Sequence, residues 1–146
     1  MEATAGNPPI TIASKPWATW VGYALSAIPI LGLLVSASFK LTHSPQVMEM
    51  FVSQLGYQAS SLLGLALLEI AVVVVYSVPR TAVLGAILMT GYLGGAIATH
   101  VRVGQAFLIP LALGISAWAG LYLRDDRLQA LLPVRTKGKR NDSSPS

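Results

Sequence analysis

Four stretches of mostly apolar residues alternate with short polar breaks along this chain. The first runs from Trp17 to Phe39 without a charge. At about 1.5 Å of rise per helical residue it is long enough to cross a hydrocarbon core of about 30 Å. Three more spans are expected at about residues 61–78, 81–99 and 106–123. Trp17, Trp20 and Tyr23 stand at the start of the first span, where amphipathic rings settle at head-group level. Pro16, Pro45, Pro79, Pro110 and Pro133 fall at or near segment ends, where a missing N–H costs least. Pro29 lies mid-span, a position a membrane helix tolerates when a neighbour satisfies the freed carbonyl.

The connection over residues 40–60 is polar and amphipathic. Pro45 opens a short helix there whose apolar side carries Val47, Met48, Phe51, Val52 and Leu55, the pattern of an interfacial element. Residues 1–16 read as a disordered lead-in, 17–133 as the membrane domain and 134–146 as a basic disordered tail. Val35-Ser36-Ala37 resembles a signal-peptidase site. The apolar run before it is nevertheless longer than the roughly 7 to 15 residues of a signal core, and its upstream flank holds a single lysine. The expected fold class is therefore all-α, an integral membrane four-helix bundle.

Composition agrees with this pattern. Hydrophobic residues make up 53% and charged residues 11% of the 146, with a mean hydropathy of +0.61, whereas water-soluble chains carry about 25% charged residues. The chain contains no cysteine, which excludes disulfides, zinc–thiolate sites, cysteine-ligated iron–sulfur clusters and a thiol nucleophile. Of the ten basic residues behind the net charge of +4, six follow the last apolar segment: Arg124, Arg127, Arg135, Lys137, Lys139 and Arg140. No aromatic residues alternate with them as base-stacking platforms would, so nucleic acid is not an expected partner. Lys15 and Arg80 fall on the same side as those six, against Lys40 and Arg102 on the other. The positive-inside rule then places both termini in the cytoplasm.

Small residues suggest where helices approach. Gly91 and Gly95 lie four apart, flanked by a second row of Ala82, Ala86, Thr90, Gly94 and Ala98. Ser116 and Gly120 repeat the spacing on the last span, and Gly32 and Ser36 on the first. Such faces let backbones meet in lipid. The third span is accordingly expected in the bundle interior, with Gly91, Gly94, Gly95, Ser116 and Gly120 in packing contacts.

Glu69 interrupts the second span, and an ionised acid at that depth costs about 2.5–3.5 kcal/mol on insertion scales. It must be protonated, paired or wetted. Counted from the non-cytoplasmic ends, Glu69 and Tyr92 share a level about 12 Å deep. Helical side chains lean toward their own N-termini, so Lys40 and His100 tilt into the membrane while Glu69 tilts toward them. Lys40, Glu69, Tyr92 and His100 are thus expected to converge, with Arg102 and His43 close above. Such a cluster suits a polar anchor for helix packing, a pocket for a quinone or other lipid-like ligand, or a proton relay. His43 and His100 are the only histidines, a poor basis for haem ligation, and no metalloprotease, Walker, dinucleotide or nucleophile-elbow motif is present.

The third span and its flanks read Pro79-Arg80-Thr81, Leu84-Gly85-Ala86, Thr90-Gly91-Tyr92-Leu93-Gly94-Gly95-Ala96 and Thr99-His100-Val101-Arg102-Val103-Gly104. With Glu69, Trp118 and Tyr122-Leu123-Arg124, these residues resemble the DoxX-like family of small bacterial membrane proteins over roughly residues 17–133. The resemblance implies a four-helix integral membrane protein of the bacterial cytoplasmic (inner) membrane. Some relatives are associated with a thiosulfate:quinone oxidoreductase or with membrane complexes that handle oxidative stress, which implies a quinone ligand or a protein partner in a membrane redox complex. It supplies no catalytic residue and no oligomeric state.

Overall fold

The computed structural model describes residues 16–42 and 44–132. His43 and the basic residues on either side of that range, Lys15, Arg135, Lys137, Lys139 and Arg140, lie outside the described residues. Within them the chain is all-helical, without strands: α1 (Pro16–Thr42), α2 (Pro45–Met48), a π-helical segment (Glu49–Gln54), α3 (Ser61–Ser77), α4 (Ala82–Arg102), α5 (Leu108–Arg124) and α6 (Asp126–Leu131). The expected amphipathic helix after Pro45 is therefore split. Ser44 caps its first turn by accepting the Val47 N–H at 3.4 Å. The chain then widens to π geometry, where Leu55 N–H reaches back five residues to Met50 O at 2.9 Å.

Local chemistry explains the helix ends. Pro16 opens α1 and Pro110 lies in the first turn of α5, positions where no intrahelical N–H is required. α4 ends on Gly104, whose φ of 71° is readily reached by glycine. Its N–H donates to Val101 O at 3.1 Å and that of Gln105 to His100 O at 2.9 Å, the paired bonds of a Schellman stop.

α1 packs on α3 and α5, and α4 packs on the same two helices. Each contributes a narrow buried seam. On α1 it is Gly22, Ser26, Pro29, Leu33, Ala37 and Lys40, spaced by threes and fours. Leu33, Val72, Tyr76, Ala86, Met89 and Leu121 form the middle of the core. The outward faces remain apolar: Ile109 is 75% exposed, Ile115 62% and Leu31 61%. α1 and α4 are long and apolar enough to cross a membrane, and α3 and α5 are shorter apolar helices of 17 residues.

The closest backbone approaches differ from those expected. A Cβ on Gly85 would fall 2.3 Å from Tyr76 Cα, one on Gly22 2.9 Å from Gly120 O, and one on Gly120 2.6 Å from Ser26 N. Gly91, Gly94 and Gly95 are exposed, and a Cβ at any of them would meet nothing within 4 Å. The buried seam of α4 runs through Ala82, Gly85, Ala86, Met89 and Leu93. Two residues from Leu93 is about 200° around the helix, so Gly91 and Gly95 lie off this seam and border a cavity shared with Tyr57 and with Leu65 of α3. Ser116 is half-buried and donates to Leu113 O of its own helix at 2.9 Å. Of the five residues expected in packing contacts, Gly120 occupies a backbone-to-backbone approach. α4 is not an interior helix.

Candidate functional site

Lys40, the last buried residue of the α1 seam, meets Glu69 of α3. Both residues are sealed from solvent, at 1% and 2% exposure. Lys40 Nζ donates to Glu69 Oε1 at 3.0 Å and to Oε2 at 3.1 Å, the one ion pair among the described residues. Ser36, one turn before Lys40, accepts from Nζ at 2.6 Å and donates its own hydroxyl to Glu69 Oε1 at 3.0 Å. Tyr92 of α4 completes the set, its hydroxyl donating to the same Oε1 at 2.5 Å. Oε1 thus receives three donors and Oε2 one. The face of Phe51 lies 4.6 Å from Nζ, an arrangement in which the ring's negative quadrupole stabilises the ammonium.

The pair has no net formal charge, which makes its burial tolerable. Removing either partner would leave one unpaired buried charge, at a cost of about 3–5 kcal/mol. The electrostatic arrangement therefore depends on three helices together with Phe51 of the π-helical segment.

That segment is tied down at three points. Arg102 Nη2 donates to Leu55 O at 2.8 Å, Gln105 Nε2 to Gln54 Oε1 at 3.0 Å, and the Tyr57 and Thr99 hydroxyls lie 2.9 Å apart. Arg102 thus anchors the segment that carries Phe51 and does not bond to Glu69. His100 Nδ1 lies 2.8 Å from Ala96 O of its own helix. Its ring borders the cavity beside the pair without a hydrogen bond to it. The structure brings Lys40, Glu69 and Tyr92 into one network, puts His100 at its edge and turns Arg102 to another task. Ser36 and Phe51 are members that sequence reasoning placed elsewhere, as a packing residue and as an interfacial apolar residue. The position of Ser36 four residues before Lys40 was the available signal.

A cavity of about 320 Å³ opens beside the network. Lys40, Glu69, Ser36, Tyr92 and His100 form its polar end, and Leu33, Leu93, Ile109, Pro110 and Leu113 contribute apolar wall. Phe51 also borders two neighbouring cavities. One, of about 210 Å³, lies toward Tyr57 and Leu65, and the other, of about 640 Å³, along Val35, Phe39 and Val47. This arrangement suits a molecule with an apolar body and a small polar head. Such pockets orient their ligands with a few convergent polar groups. Among the described residues no three His, Asp or Glu side chains gather as a metal site.

Helices with apolar outer faces, two of them long enough to cross a bilayer, around one buried ion pair fit a membrane protein. The model of the DoxX-like family matches residues 24–120. That is more than half of the 146 residues, and the chain belongs to this family. No curated protein and no solved structure matches it.

Proposed function

We propose that this protein crosses the bacterial cytoplasmic membrane four times, with both termini in the cytoplasm, and holds a small lipid-soluble molecule whose polar head reaches Lys40, Glu69 and Tyr92. Support for four spans comes from α3 and α5, whose outward faces carry Leu67, Val74, Ile109 and Ile115, all more than half exposed. In water such surfaces would drive aggregation. At 17 residues each helix is about 26 Å long, within the lower range for a span, and the small mismatch is met by local thinning. The cysteine-free sequence makes the topology directly testable. A single thiol at Gln54→Cys is expected to react with a membrane-impermeant maleimide on spheroplasts, and one at Asp126→Cys only after permeabilisation. The reverse pattern would refute the orientation.

The observation that carries the ligand reading is the apolar cavity ending on the buried pair. Glu69 Oε2 and Tyr92 Oη retain acceptor capacity for a hydroxyl, while the Lys40 N–H groups and the Tyr92 O–H, donated within the network, would reach a carbonyl by turning from Glu69 and Ser36. Together they suit a carbonyl- or hydroxyl-bearing head such as that of a quinone. On this reading the protein is an accessory one, presenting or sequestering the molecule for a partner in the membrane. A short-chain benzoquinone titrated into detergent-purified protein is expected to bind saturably, one per chain. Lipid extraction of the untreated protein is expected to release a compound of the same class. A protein that carries no such compound and fails to bind the probe would overturn the reading.

The hydrogen-bond chain from Tyr92 through Glu69 to Lys40 also favours a second reading. Here the protein is the quinone-holding subunit of an oxidoreductase complex, and Tyr92 and Lys40 supply protons to the reduced head group. Co-purification of a redox-active partner that reduces the bound quinone would separate this reading from the accessory one.

A further inference from the structure

At the opposite end of the long helices from the Lys40–Glu69 pair lies a second cavity, also about 320 Å³. It is bordered by the start of α1, the α3–α4 turn and the end of α5, and Arg80, Arg124 and Arg127 all line it. Arg124 is held in place by aromatic rings: its Cζ lies 5.5 Å from the Tyr23 ring centre and 5.1 Å from that of Tyr76. Nη2 makes one long bond of 3.4 Å to Tyr76 O, and Nε is buried without a hydrogen-bond partner. Two carboxylates also border the cavity, Asp125 and Asp126, yet neither forms an ion pair with these arginines. Asp125 Oδ1 caps α6, accepting from Arg127 N–H at 2.9 Å and Leu128 N–H at 3.4 Å. Three guanidinium groups thus border one concavity without a carboxylate partner, and one of them is pre-positioned with a donor unused.

We propose that this arginine-lined cavity binds a phosphate group, that of an anionic phospholipid head group on the cytoplasmic leaflet. Planar guanidinium groups match phosphate oxygens in a bidentate fork, and basic pockets at the cytoplasmic ends of spans are suited to anionic head groups. An amphiphile is favoured by the surroundings. Leu131 and Leu132 of the α6 end are 77% and 55% exposed, and Trp17 and Trp20 at the start of α1 are 61% and 76% exposed. Acyl chains can lie on these residues while the phosphate meets the arginines. The lipid orientation rests on the four-span reading, but the site is separate from the cavity over Lys40.

The test uses the full chain in mild detergent, with native mass spectrometry reading bound lipid. Phosphatidylglycerol is expected to be retained, one per chain, in preference to phosphatidylcholine. The double variant Arg80→Gln/Arg127→Gln removes two exposed side chains and is expected to keep its melting temperature. It should bind phosphatidylglycerol about twenty-five-fold more weakly, at roughly five-fold per arginine. Inorganic phosphate serves as the competing probe. Failure to displace the lipid supports the head group as the source, while displacement at low concentration supports free phosphate, and in either case the anion site stands. Equal retention of the two lipids, or unchanged phosphatidylglycerol binding by the double variant, would overturn it. A variant blocked over Lys40, Ala96→Leu, is expected to bind phosphatidylglycerol like the parent, so failure of the ligand reading would leave this result untouched.

Discussion

The two ends of the same four long helices solve the problem of close packing in opposite ways. At one end α1 meets α5 through Gly22 and Gly120, and α3 meets α4 through Tyr76 and Gly85, with backbone against backbone. The buried tyrosine and serine hydroxyls within that seam are bonded to one another and to backbone, and the charge of Arg124 sits at its outer edge. Tyr76 donates its hydroxyl hydrogen to Ala117 O at 2.7 Å, and its oxygen lies 3.1 Å from the Ser26 hydroxyl. At the other end no glycine of α4 touches a neighbour. The contact is instead made by the long side chains of Lys40, Glu69 and Tyr92, which meet at a charge-neutral knot and leave a cavity beside it. Backbone contact leaves no space within the seam itself, so the arginine-lined cavity opens only beyond it at the helix ends, whereas a knot of long side chains leaves room for a ligand beside it.

Breaking the charged end should have the largest effect. Glu69→Leu strands the Lys40 ammonium among buried groups and is expected to destabilise the protein by about 4 kcal/mol, measured by reversible detergent denaturation. The double variant Lys40→Met/Glu69→Leu removes both charges and should recover about 2 kcal/mol or more of that loss. If the single variant were as stable as the parent, the pair would have no role in holding the helices. Glu69→Gln retains a hydrogen-bond acceptor but not the charge opposite Lys40, so it should fold with a loss smaller than that of Glu69→Leu in the same denaturation measurement.

Somewhat smaller is the expected effect of Gly85→Ala at the closed end. Its methyl group would meet Tyr76 backbone rather than a yielding side chain, and overpacking of this kind costs about 3 kcal/mol. The same substitution at Gly94, where nothing lies within 4 Å, should shift stability by less than about 1 kcal/mol, in the stabilising direction, because alanine is the better helix former. Equal costs at Gly85 and Gly94 would erase the contrast between the two ends.

The helix order and the level shared by Glu69 and Tyr92 were legible from hydropathy and helix rise, because depth along a span depends only on residue count. The lean of side chains toward helix N-termini pointed Lys40 at Glu69. Azimuth was harder to read. The Gly91–Gly95 spacing marks a face that could pack but says nothing about whether a neighbour stands opposite, whereas isolated Gly22 and Gly85 carry the real approaches. The π-helical widening at Glu49–Gln54 leaves no mark in an apolar pattern read at α-helical period, so the position of Phe51 over Lys40 was hidden. Arg102 was expected near the cluster on proximity, but the end of the π-helical segment offered Leu55 O as a partner. The Tyr76–Arg124 contacts join residues 48 apart and had no local signature.

The most direct test of the central claim is a calorimetric titration of a short-chain benzoquinone into the parent and Ala96→Leu proteins. Ala96 borders the cavity, and none of the hydrogen bonds to Lys40 or Glu69 involves it. The larger side chain is expected to abolish saturable binding while the denaturation midpoint stays within the scatter of the parent's. Undiminished binding by a correctly folded Ala96→Leu protein would contradict the account.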